Sequence, residues 1–157
     1  MKMFEVANSS IKQVMNQLLK GSAFDCFLVR GAAISTFTKI EISGILEKNY
    51  LPEDERDPSR NYVYWSEIRP FIFSLIKGGP APGVLKIIFS ATDDEVEAMH
   101  NNASAMFLNL LYEEGNLKFT TAVGQRSFSL DRTPDDVWDK YIEQFFNKNS
   151  WSVSTLS

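Results

Sequence analysis

The spacing of apolar residues changes period repeatedly along this chain, and it does so in the same order in both halves. Each half opens with a short β-like stretch, passes into a segment of helical spacing, and ends in a meander of strands. A chain that switches between helical and two-residue periods must lay helices on a sheet, so this pattern constrains the fold more than any single motif. Two similar strand-helix-three-strand halves define an α+β class built on antiparallel sheets, with two helices on one side.

In the first half, Met3 to Val6 reads as a strand. Ser9 or Ser10 offers a helix cap, and Ile11 to Lys20 follow helical spacing up to Gly21. Ile11, Val14, Met15, Leu18 and Leu19 share one arc of that helix. Lys12, Gln13, Asn16, Gln17 and Lys20 share the opposite one, which carries no acid. Strands are predicted at Phe24 to Arg30, with a turn at Gly31, then at Ala33 to Thr38 and Lys39 to Leu46. Residues 38–43 alternate strictly, so one face is buried and one is wet. Glu47 to Asn61, with its acids and prolines, is a solvated loop between the halves.

Tyr62 to Trp65 reads as the strand that opens the second half. A helix is predicted from about Ser66 to Lys77, with Pro70 near its first turn. It is apolar almost all round, which predicts extensive burial. Gly78 to Gly83 breaks the chain. Further strands are predicted at Val84 to Ala91, Ala105 to Glu113, Asn116 to Val123 and Gln125 to Leu130, with a hairpin turn at Glu114-Gly115-Asn116. Thr92 and Glu95 have capping-box spacing. A helix over 133–147 is the clearest element, with Thr133 as cap, Pro134 at the first position, and Asp135 and Asp136 at the positive end of the dipole. The domain therefore spans 1–147, with pseudo-repeats at about 1–46 and 62–131. The Ser- and Asn-rich tail, 148–157, is expected to fray, with Trp151 a candidate for docking.

Composition narrows the chemistry. With one cysteine (Cys26) and one histidine (His100) in 157 residues, intramolecular disulfides and most metal sites are excluded. The formal charge of -4 argues against a strongly basic nucleic-acid binder. It is unevenly distributed, because Ala7 to Ile40 holds four basic residues and a single acid, Asp25. The amino-terminal segment has no signal-peptide core and no apolar run has membrane-spanning length, which sets the expectation of a cytoplasmic protein without membrane contact. No pair of groups is spaced for nucleophilic, metal or acid–base work, so the expectation is a non-enzyme with no cofactor.

Two resemblances are carried by particular segments. The opening MKMFEVANSSIKQVMNQLL, together with Gly124 to Leu130 and Pro134, resembles the first strand and helix and the closing strand of bacterial DNA sliding-clamp domains, the ring-shaped processivity factors of replication. Trp65-Ser66-Glu67-Ile68-Arg69-Pro70, continuing through Ile76-Lys77-Gly78, resembles an uncharacterised bacterial domain-of-unknown-function family, which brings no activity with it. The clamp resemblance implies a DNA-clamp-like fold that contacts duplex DNA without reading bases, or a replication or repair protein as partner. A single domain could close a ring only by forming a homo-oligomer. The matching cations are Lys12 and Lys20 on the first helix and Arg69 and Lys77 on the second. Four phosphate contacts would give a salt slope of only roughly -3.6.

Other candidates have plainer readings. Ile142, Phe145 and Phe146, preceded by Asp139, are spaced like the hydrophobic plug of clamp-binding peptides. The same stripe, from Val137 to Phe146, also suits packing on the protein's own sheet. The competing function is a protein-interaction scaffold that uses a sheet edge or this helix and has no nucleic-acid role. Asp93, Asp94, Glu97 and His100 form the only acid–histidine cluster and read as a solvated loop. Cys26 alternates with Phe24 and Leu28 and reads as a small core hydrophobe. Gly78 to Gly83 lacks the lysine and hydroxyl of a phosphate loop and reads as a turn. Tyr62, Tyr64 and Trp65 read as core aromatics before a base-stacking platform.

Overall fold

The computed structural model describes residues 1–156. The elements are β1 (Met3–Val6), α1 (Asn8–Leu19), β2 (Leu28–Ser35), β3 (Lys39–Ser43), β4 (Val63–Tyr64), α2 (Trp65–Ile76), β5 (Val84–Ser90), α3 (Asp93–Met99), β6 (Ala103–Glu113), β7 (Asn116–Gln125), α4 (Thr133–Lys148) and β8 (Val153–Leu156). The strands form one antiparallel sheet in the order β3-β2-β5-β6-β7-β1-β8, and β4 pairs with β2 beside β3. The architecture is therefore α+β, with a large antiparallel sheet and four helices. The two halves share that sheet: β1 pairs with β7, and β2 with β5.

Register fixes the faces. Leu85, Ile87 and Phe89 of β5 line up with Met106, Leu108 and Leu110 of β6 and with Leu117 and Phe119 of β7, all buried beneath the helices. The alternate residues, among them Lys86, Ile88, Asn109 and Lys118, point to the other face and are exposed or half-buried. The β6–β7 hairpin turns at Glu114 and Gly115, with φ of 52° and 77°. Two successive left-handed residues are what a two-residue turn matched to strand twist requires.

Several local expectations are corrected. Phe24 to Phe27 is a turn, closed by Asp25 N donating to the Ser22 carbonyl and Phe27 N to the Phe24 carbonyl. Both phenylalanines are buried, and strand parity does not apply to them. Cys26 is consequently exposed, not a core residue. β2 runs through Gly31 without turning, carrying a bulge between Val29 and Gly31, and the hairpin turn falls at Thr36–Thr38 instead. The strand predicted over Gln125 to Leu130 ends at Gln125. Beyond it, side-chain oxygens of Asn102 and Gln125 accept the Ser127 and Ser129 amides, taking the donors a ladder would use. Phe128 and Leu130 are left exposed.

The second helix is less buried than its composition predicts: only Trp65 and Ile72 are fully buried, while Phe71 is 69% exposed. Helical geometry puts only one stripe against the sheet, whatever the other faces carry. Pro70 falls inside α2 rather than in its first turn, so the Ser66 carbonyl lacks its helical donor. Thr133 is the first residue of α4 rather than its cap, no side chain caps the helix, and the Thr133 side chain turns back to Asp131. The Asp131 carboxylate accepts from the Thr133 amide at 3.0 Å and hydroxyl at 2.6 Å, and these bonds hold its carboxyl below its ordinary value.

The tail is the largest correction. Instead of fraying, residues 153–156 add an edge strand to β1, with Val153 opposite Val6 and Leu156 opposite Met3. Trp151 is buried against Phe24, Phe145 and Phe146. Aromatic burial over this area outweighs the entropy of ordering a few residues, which local composition does not reveal. Trp151→Ala is expected to cost about 3 kcal/mol and lower Tm by roughly 6–12 °C. Thermal unfolding by circular dichroism checks this; a loss under about 1 kcal/mol would mean that the tail contributes little to the core.

Candidate functional site

The face formed by α1 and α2 carries the cations predicted from sequence. Helix α1 buries Ser10, Val14 and Leu18 and presents Lys12, Gln13, Asn16 and Gln17 to solvent. It is held against α2 by the Trp65 indole, whose Nε1 donates to the Leu18 carbonyl at 2.8 Å. Lys12, Lys20 and Lys77 are exposed and make no salt bridge among the described residues. Lys20 sits 5.7 Å from the centre of the Phe73 ring.

Arg69 is committed elsewhere. Its Nε and Nη2 donate to the two Asp25 oxygens at 3.2 and 3.0 Å, and its Nη1 donates to the Lys20 carbonyl. This fork-to-fork pair neutralises the charge and ties the end of α1 to α2. Three cations remain for an anionic partner, so the salt slope of a duplex contact shrinks to roughly -2.7.

The C-terminal stripe is not available as placed. Ile142 is fully buried, Phe146 is 3% exposed, and Phe145 packs edge-on against Phe24, Phe27 and Trp151. The expectation that these three side chains engage a partner is corrected: α4 has turned its apolar face onto the protein's own sheet. Asp139, on the same helix, is buried and accepts from the Thr121 hydroxyl.

Between α1, the end of α2 and the β6–β7 turn lies a groove of about 620 Å³. Ile11, Met15 and Leu19 form one wall, and Ile76, Pro82 and Tyr112 contribute the other. Lys12 is the one charged residue lining it. Sequence periodicity placed Ile11, Met15 and Leu19 on the apolar arc of α1. It did not show that the sheet covers only the Val14–Leu18 side of that arc.

A second concavity, about 390 Å³, lies where β2, β4 and the 57–61 segment meet the start of α3. Tyr62 and Tyr64 line it and are half-buried, and only Trp65 enters the core. The reading of all three as core aromatics is corrected for the two tyrosines. The Arg60 guanidinium lies 4.8 Å from the Tyr64 ring centre, and its Nη1 donates to Glu67 at 2.6 Å. Glu67 also accepts the Tyr64 amide at 2.8 Å, at the start of α2. Arg30 stands in the same concavity. Sequence reasoning missed it, because the bulge that sets its direction has no local signature.

The acid–histidine cluster is dispersed. Glu97 pairs with Arg126 at 3.3 Å, and His100 Nδ1 accepts the Asn102 amide. Among the described residues, no group of three or more His, Cys, Asp or Glu is placed to hold a metal ion. No described helix is long and apolar enough to cross a membrane.

These elements define an α+β domain in which helices cover one face of a single antiparallel sheet. The chain belongs to a family of unknown function, DUF5721, whose model matches residues 17–154. No curated protein and no solved structure matches it significantly, so no relative supports the sliding-clamp resemblance.

Glu67 yields a pH prediction. Burial pushes its carboxyl up, but the bonds from Arg60 and the Tyr64 amide outweigh this and hold it below its ordinary value. A carboxyl depressed on folding contributes stability above the unfolded value and loses it as pH falls through the folded one. Glu67→Gln is therefore expected to be less stable than wild type near pH 7. The two should converge as pH falls below the ordinary carboxylate range, measured by urea unfolding across that range.

Proposed function

We propose that the chain is a non-enzymatic binding module that docks an apolar, acid-flanked segment of another protein in the α1–α2 groove. The observation that carries this reading is the groove itself, with seven apolar side chains on its walls and a single cation, Lys12, at its rim. An amphipathic helix laid into such a groove buries apolar anchors at helical spacing. Acids flanking those anchors would meet Lys12, and Lys20 adds positive charge on the same helix. This keeps the scaffold function weighed from sequence and moves its surface from the C-terminal helix to the first two.

Non-specific contact with duplex DNA by a clamp-like module is the second reading. It is favoured by the acid-free exposed row of α1 and by the side-by-side packing of α1 and α2. With Arg69 neutralised by Asp25, the remaining lysines supply little affinity. Encircling DNA would also require self-association.

The test is a selection of helical peptides displayed against the immobilised protein, paired with a titration of duplex DNA at low salt. Selected peptides are expected to share apolar anchors flanked by acids and to lose about tenfold or more in affinity for Met15→Glu. Met15 is half-buried on the groove wall, and unfolding of the variant is checked by circular dichroism. Peptides indifferent to Met15→Glu in the folded variant would sink the groove reading. Duplex binding tighter than about 10 μM that is lost in Lys12→Ala would establish the second reading.

A further inference from the structure

Arg30 is the extra residue of the β2 bulge, skipped in the pairing of Val29 with Phe89 and of Gly31 with Ile88. The bulge turns its side chain to the sheet face away from the helices, over Ser90 and Phe107. Its Nε donates to the buried Ser90 hydroxyl at 3.1 Å. Its guanidinium lies 4.0 Å from the Tyr62 ring centre and 5.2 Å from that of Phe107. The group is thus held by two aromatic rings and a hydroxyl, with its rotamer freedom already removed.

What this arginine lacks is a partner for its fork. Arg56, Arg60, Arg69 and Arg126 each direct a terminal nitrogen to a carbonyl or a carboxylate. The terminal nitrogens of Arg30 make no hydrogen bond or salt bridge among the described residues. An immobilised guanidinium with an unused edge is organised in advance for a planar, two-oxygen anion.

The surrounding charges decide which anion. Of the other charged groups lining the concavity, Arg60 is matched by Glu67, and Asp57 accepts from the Ser59 amide and hydroxyl. Asp93 and Asp94, also on the wall, accept no hydrogen bond and form no ion pair among the described residues. A phosphate dianion would meet three aspartates for one free arginine. A simple carboxylate would satisfy Arg30 alone. A molecule carrying both a carboxylate and an ammonium group answers both ends.

We propose that this pocket binds a small amino-carboxylate zwitterion, with its carboxylate on Arg30 and its ammonium toward Asp93 and Asp94. A space of about 390 Å³ is ample for a compound of amino-acid size. The site lies on the sheet face opposite the groove and does not depend on the docking reading above.

The test is an NMR titration of the isotopically labelled full chain with glycine, L-glutamine, acetate, methylamine and inorganic phosphate in turn. An amino acid of the panel is expected to shift the Arg30 Nε–H and the 92–94 amides together, saturating below about 5 mM, with acetate at least roughly tenfold weaker. Asp94→Asn, at an exposed position, should weaken amino-acid binding without weakening acetate. Arg30→Lys should weaken both. If Arg30→Lys fails to fold, Asp94→Asn carries the test alone. Equal binding of acetate and the amino acids, tightest binding by phosphate, or no shift from any compound would each overturn the proposal.

Discussion

Phe24 is the point at which the layers of this protein meet. Its buried ring contacts five others: Phe27 beside it, Phe89 and Phe119 from the sheet, Phe145 from α4, and Trp151 from the tail. It stacks on Phe89 at 5.2 Å and on Trp151 at 5.5 Å, so the ring is sandwiched between the sheet and the carboxy-terminal segment. Such a site can be filled only if the chain between α1 and β2 turns inward. Residues 22–27 therefore form a turn that buries Phe24 and Phe27, Cys26 faces outward, and β2 starts at Leu28. Offset aromatic contacts of this kind add to area burial rather than replace it.

The same cluster determines what α4 can do. Once Phe145 and Phe146 pack with Phe24, Phe4 and Trp151, no apolar stripe is left on that helix for a partner. The helix is further tied to the residue before β1 by the Lys2–Glu143 pair at 2.7 Å. β8 then lies along the other side of β1. Helix α4 and Trp151 after it thus complete the core between them.

Elements with local signatures were legible in the sequence. The capping box at Thr92 and Glu95 forms as spaced, with the Glu95 amide donating to the Thr92 hydroxyl oxygen and Glu95 accepting the Thr92 amide. The glycine turn of the β6–β7 hairpin and the amphipathic arc of α1 could likewise be read within a few residues. What could not be read depends on distant partners. Phe24, Cys26 and Leu28 alternate like a strand, and only Phe89 and Trp151 make Phe24 a turn residue. Gly44 is required because a Cβ there would stand 1.8 Å from the Val29 carbonyl oxygen, a collision set by a strand fifteen residues away in the chain. The similarity of the halves is local in the same sense. The fold does not carry it through: two strands, β2 and β3, follow α1 where three were expected, a helix interrupts the strands after α2, and β1 pairs with β7 of the other half.

The candidate sites illustrate the same division of local from distant information. Lys12 and Lys20 lie on the wet arc that periodicity assigned, since exposure on an amphipathic helix follows from helical geometry alone. Arg69 has the same charge and a comparable position, yet Asp25 removes it from any anion's reach. Arg30 shows the reverse: a basic residue in an otherwise apolar strand becomes a free guanidinium because one extra residue turns it off the ladder and Tyr62 and Phe107 hold it there. Net charge would have ranked these cations equally. Which of them is left with an unused edge is decided by the carboxylate each one does or does not find within the fold, and that selection separates a committed arginine from an uncommitted one.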